Sequence, residues 1–170
     1  MAVAGGYQFT KTGDEIQLDG TRSVPRPGRK ITAYQWRLHD GSVVDAPTVR
    51  LKCAHGGLYS EELVVKLDDG SEERDYLQVR VYDSKQPLPI ARGWIHYTPT
   101  RGIKPGTEVL FWNRLSNMKE AQIDFGDGTH EAFSEQVTHA YKTTGLFTVT
   151  ASGKGPNNEP ATVRLRVVVE

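Results

Sequence analysis

Apolar residues fall at every second position in a series of short runs along this chain, and each run stops at glycine, proline or aspartate. Residues 7–10 form the first run. Residues 15–19 follow, with Ile16 and Leu18 on one side, and 31–38 place Tyr34, Trp36 and Leu38 together. Val49, Leu51 and Cys53 share a face, as do Tyr59, Leu63, Val65 and Leu67 within 58–67 and Leu77, Val79 and Val81 within 73–82. A period of two predicts strands with one buried face, whereas no stretch keeps the 3.6-residue period of a helix. The punctuation agrees: Asp40-Gly41 and Asp68-Asp69-Gly70 are turn signals, because glycine accepts the positive φ that a tight turn needs. Residues 20–29 carry two prolines and three arginines and read as loop, since proline cannot donate to a central ladder.

The plan then repeats. Residues 93–98, 107–113, 120–125, 136–141, 145–152 and 161–169 alternate in the same way, with Gly126-Asp127-Gly128 turning the chain. Val49-x-Leu51-x-Cys53 with Gly57-Leu58-Tyr59 aligns without a gap on Val137-x-His139-x-Tyr141 with Gly145-Leu146-Phe147. Residues 13–19 likewise lie on 106–112. Between the copies, 83–89 holds two prolines and reads as a stiff extended connector. The boundary is set there, giving domains 1–85 and 86–170, expected to superpose on their sheets and to differ mainly in the loops after Ser23 and Ser116. Many short strands with evenly spaced turns and no helix predict an all-β chain of two tandem antiparallel β-sandwiches.

At Asp124-Phe125-Gly126-Asp127-Gly128-Thr129, with Val137-Thr138-His139-Ala140-Tyr141 and Gly145-Leu146-Phe147 behind it, the second copy resembles the polycystic kidney disease (PKD) type of immunoglobulin-like domain. The first is similar through residues 31–41 and Gly57-Leu58-Tyr59. The resemblance implies two immunoglobulin-like, non-catalytic seven-stranded sandwiches, of the kind found in secreted or surface proteins beside chitinases, collagenases and other proteases. There are departures. Ile123 stands where the family usually has tryptophan, and His39 where it has the glycine before Asp-Gly. Some members bind calcium through an acidic loop after the second strand; here that loop reads Ser23-Val24-Pro25-Arg26-Pro27, arginine where a hard cation needs carboxylate, so the calcium site is not carried over.

Composition narrows the partners. The 170 residues hold 21 Lys and Arg against 21 Asp and Glu, so no long-range field draws in nucleic acid or an anionic membrane. Cys53 is the only cysteine, which rules out an intrachain disulfide and a multi-cysteine zinc site. No apolar run reaches the length of a membrane span, and Met1–Gly6 lacks the features of a signal peptide and reads as an artificial start.

Several residues invite a sharper reading. Asp124, Asp127, His130, Glu131 and His139 have the side chains of an acid/base group, yet Asp127 is accounted for by its turn, His139 by an inward position, and His130 and Glu131 by a loop. Trp36 has the parity of a core tryptophan, and Cys53 that of a buried, inert thiol. Arg22, Arg26, Arg29 and Lys30 read as a solvated charged loop. Aligning the copies places Val109 and Phe111 inward and sends Leu110 and Trp112 outward, with Trp94 on the preceding strand able to join them. An apolar pair of this kind calls for a cover, either the other domain or the proline connector, or else a sugar ring or partner protein. No catalytic residue, cofactor or metal is assigned. The expected role is a structural and interaction module that spaces or presents a catalytic or adhesive domain of a secreted or surface bacterial protein. Its partners would be the neighbouring domains of that protein and, through the aromatic patch, a polysaccharide or extracellular protein. The alternative is a carbohydrate-binding accessory module of a polysaccharide-degrading enzyme.

Overall fold

The structure is a computed structural model that describes residues 1–86 and 90–170. Every regular element in it is a strand, and the chain divides into two compact units, Met1–Pro87 and Leu88–Glu170. Of the two-proline connector read at 83–89, residues 87–89 lie outside the described residues; in the part that is described, Gln86 N–H donates to Asp83 O at 3.0 Å in a turn.

The first unit contains β1 (Gln8–Lys11), β2 (Glu15–Asp19), β3 (Ile31–Arg37), β4 (Val43–Val44), β5 (Thr48–Lys52), β6 (Gly57–Leu67) and β7 (Glu72–Tyr82). One sheet runs β4-β3-β6-β7-β1; β2 and β5 make the other. Between them lie Leu18, Trp36, Val49, Cys53, Leu63, Leu77, Val79 and Val81, the alternating residues of five strands. Ala2 and Ala4 are in the same core, Ala4 N–H donates to Asp75 at 2.8 Å and Val3 N–H to Ser23 Oγ at 3.0 Å. The first residues therefore belong to the packed unit, although nothing in their pattern predicts it.

The second unit contains β8 (Arg92–Thr98), β9 (Glu108–Ser116), β10 (Lys119–Asp124), β11 (His130–Ala132), β12 (Gln136–Ala140), β13 (Gly145–Lys154) and β14 (Pro160–Val169). Its sheets are β11-β10-β13-β14 and β12-β9-β8. The register repeats that of the first unit. Val137 faces Phe111 as Val49 faces Leu18, and Gly106 N–H donates to Tyr141 O at 2.8 Å as Gly13 N–H does to Cys53 O. The first strand breaks the correspondence, so the loops are not the main difference: β1 runs parallel to β7, whereas β8 runs antiparallel to β9 in the opposite sheet. Alternation specifies which face of a strand is buried and leaves its sheet open.

Ile123 takes the place of Trp36 without emptying the second core. Tyr97, Phe111, Phe125, His139, Tyr141 and Phe147 form a continuous run of ring contacts with centroids 4.0 to 5.8 Å apart, supplying volume that a tryptophan supplies in the first unit.

Aspartate followed by Gly-Ser or Gly-Thr recurs, and the aspartate accepts from both the hydroxyl and the N–H of the residue two further on: Thr21 on Asp19, Ser42 on Asp40, Ser71 on Asp69 and Thr129 on Asp127. The hydroxyl bond, then the N–H bond, holds the first three carboxyls below their usual range; at Asp127 burial opposes the bonds from Thr129 and His139, which prevail. A carboxyl depressed in the folded state contributes stability above its unfolded value and loses it as pH falls through the folded one. The melting temperature is therefore expected to start falling near pH 4 and to keep falling below it, with a shallower fall in a Ser42→Ala, Ser71→Ala variant. Thermal melts from pH 7 to 2 check this, and a midpoint unchanged down to pH 2 would contradict it.

Candidate functional site

The outer face of β12-β9-β8 is set by strand parity. Phe111 and Val109 are buried, so their neighbours Leu110 and Trp112 take the opposite face. There His96 lies directly across from Trp112, Trp94 across from Arg114 and Thr98 across from Leu110. Trp94 is 64% exposed. Trp112 and Leu110 are half-buried, and the His96 ring stacks on the Trp112 indole at 5.2 Å between centroids. Trp94, Trp112 and Leu110 thus share one face, joined by His96, whose part the linear pattern did not bring out although it too sits at the outward parity.

Next to Trp112 a groove of about 650 Å3 opens, walled by β9 from Trp112 to Leu115, the start of β10 and the residues joining β11 to β12. Its walls are stitched together by hydrogen bonds. Asn113 Nδ2 donates to Phe133 O at 2.7 Å, Leu115 N–H to Asn113 Oδ1 at 2.9 Å, Asn113 N–H to Glu135 O and Phe133 N–H to Ala121 O, both at 2.8 Å. Asn117 and Glu120, on the short turn from β9 and at the start of β10, have φ of 58° and 53°, a left-handed backbone uncommon outside glycine. The β10–β13 register shifts between Lys119 and Gln122, so β10 is bulged where it borders the groove.

The acid/base residues are not gathered into one site. Asp124 accepts from Gly126 N–H at 2.8 Å. His130 and Glu131 are exposed and lie in β11 rather than in a loop, a three-residue strand too short to register as alternation. Only Asp127 and His139 meet, at 2.8 Å between Oδ2 and Nε2, with His139 stacked on Phe125 at 4.0 Å. Tyr141, buried behind them, donates to Phe125 O at 3.2 Å; burial, with Asp127 nearby, pushes its phenol above the ordinary range. Among the described residues no group of three or more His, Cys, Asp or Glu is placed to hold a metal ion. Trp36 is fully buried and Cys53 nearly so, and burial, with Asp14 and Glu61, pushes the thiol up. Arg26 and Arg29 are paired with Glu73 and Asp69 at 2.8 and 3.1 Å.

The first unit holds a second His–carboxylate pair, at different positions. Glu61 is fully buried, accepting from His39 N–H at 2.7 Å and lying 2.6 Å from His39 Nδ1. The His39 ring packs on Tyr59 at 4.0 Å, as Tyr141 packs on Phe147 in the second unit. Cys53, much smaller than the aligned Tyr141, leaves room for the imidazole and for a cavity of about 190 Å3. Glu61 occupies an inward parity in β6, so a carboxylate at a core position was visible in the pattern; its partner was not.

Sheet order, paired sandwiches and an aromatic outer face define a tandem immunoglobulin-like module. The chain belongs to the PKD domain family, which matches residues 1–81 and again 94–169, and PKD domains are typically non-catalytic modules. Among solved structures it is similar to the PKD domain from KIAA 1837 protein, at 22% identity and a TM-score of 0.40 over 52% of this chain and 91% of that one. It is also similar to the Clostridium thermocellum CbhA fibronectin(III)-like modules, at 13% identity, TM-score 0.33, and 99% and 90% coverage. A third is Bacteroides ovatus SGBP-B of a mixed-linkage glucan utilization locus, in complex with a mixed-linkage heptasaccharide, at 15% identity, TM-score 0.33, and 96% and 42% coverage. Among the described residues no helix is long and apolar enough to cross a membrane.

Proposed function

We propose that this chain is a pair of PKD modules, 1–85 and 86–170, that spaces and presents a catalytic or adhesive domain of a secreted or surface bacterial protein. The observation that supports this reading most is the family match over both units. Their histidine–carboxylate pairs are taken up by turns and core contacts, which leaves little for chemistry. The partners are the neighbouring domains of a larger protein; nucleic acid and membrane insertion have no part in it. The purified chain is expected to turn over no model ester, glycoside or peptide. Turnover that disappears in Asp127→Asn would overturn the non-catalytic reading.

A second reading rests on the exposed Trp94 beside the His96–Trp112 stack: a carbohydrate-binding accessory module, in which an aromatic face receives the apolar side of a sugar ring. Pulldown on insoluble cellulose, chitin and xylan separates it from a spacer that binds nothing.

A further inference from the structure

We propose that the groove beside Trp112 binds a segment of a neutral, hydroxyl-rich polysaccharide, with one pyranose ring laid on the Trp112 indole. This rests on the second reading and says where the sugar is held and by what chemistry. The groove's volume, about 650 Å3, lies in the range of pockets that enclose small ligands. Its polar inventory suits hydroxyl groups. Arg114, Ser134, Glu135 and Gln136 line it and have no side-chain partner among the described residues, so both donors and acceptors are free for the donor-and-acceptor pattern of a sugar.

The charge balance decides between neutral and anionic chains. Glu120 is paired with Lys154 at 2.9 Å, which leaves Arg114 and Glu135 in the groove as one charge of each sign, so no net positive charge is there to hold phosphate, sulfate or uronate. The wall bonds decide between a sugar and an extended peptide. Asn113 N–H and Phe133 N–H already donate within the unit, and Asn113 has both ends of its amide bonded. An added strand would find few free backbone groups there, whereas a glycan needs side chains and a ring face. The platform is also held in advance: His96 braces the indole, and the left-handed Asn117 and Glu120 sit where β10 bulges at the groove's edge. Residues held in such a backbone collect at binding sites, and a pre-ordered platform loses little freedom on binding.

The test is calorimetric titration of the 170-residue chain with cellohexaose, xylohexaose, chitohexaose and mannohexaose, with a hexauronate and an extended hexapeptide for comparison. At least one neutral hexaose is expected to bind with Kd between about 1 μM and 1 mM. Trp112→Ala and Gln136→Ala should each weaken that binding about tenfold or more, and Trp94→Ala less than about threefold. Gln136 is exposed, so its variant keeps the test meaningful should Trp112→Ala disturb folding. Binding that survives both Trp112→Ala and Gln136→Ala would overturn the groove while leaving the carbohydrate reading standing. No binding to any neutral hexaose would overturn both, and tighter binding of the uronate or the peptide would overturn the neutral sugar as occupant.

Discussion

Replacing His39 with alanine is expected to destabilise the first unit by about 3 kcal/mol or more, because it strips a buried carboxylate of its only ring partner. Glu61 is fully buried, and among the described residues its carboxylate is held by the N–H and the ring nitrogen of His39. A charge left in an apolar core without compensation costs far more than the intact pair contributes. The aligned position in the second unit is Val149, also fully buried, which shows that the sandwich accepts an apolar side chain there. The double variant His39→Phe, Glu61→Leu is therefore expected to be more stable than His39→Ala, losing only about 1–2 kcal/mol relative to the unaltered chain, chiefly because the N–H of residue 39 no longer has its acceptor. Urea unfolding, read through hydrogen exchange of the β3 and β6 amides, separates the outcomes. If the double variant is the less stable of the two, the pair is not a compensated buried charge.

The two glycines of Gly126-Asp127-Gly128 are expected to differ sharply when each is changed to alanine. Both have positive φ, 81° and 91°, and that alone costs an L-residue about 1–2 kcal/mol. Around Gly128 the space is open, so Gly128→Ala should cost about that much and no more. A Cβ on Gly126 would meet Thr148 O at 2.5 Å and Thr148 N at 3.0 Å. Thr148 is locked in the β13–β14 ladder opposite Arg166 and cannot move aside cheaply, so Gly126→Ala should lose about 3–4 kcal/mol in all. Equilibrium unfolding of the two variants measures the difference. Equal losses would mean that close approach to β13 is not what requires glycine at 126.

Alternation and turn residues determined the strands, their inward faces, the doubling of the plan and the gapless register between the copies. These are local matters: a period of two and a glycine at positive φ act within a few residues. They also placed Leu110 and Trp112 on an outer face with Trp94, since parity follows the strand whatever lies beyond it. Only the tertiary structure decided which sheet each first strand joins, because β1 and β8 carry similar patterns yet pair with β7 and β9 respectively. The same holds for the packing of Ala2 and Ala4 and for the short β4 and β11, which are too brief to show a period. Glu61 lay at an inward parity in plain view, but its partner His39 is 22 residues away and reaches it from a turn whose glycine the resemblance led one to expect. The groove arises in the same way, from β9, the bulge of β10 and the link from β11 to β12: pairing distant segments fixes how close they come, and no local period records that distance.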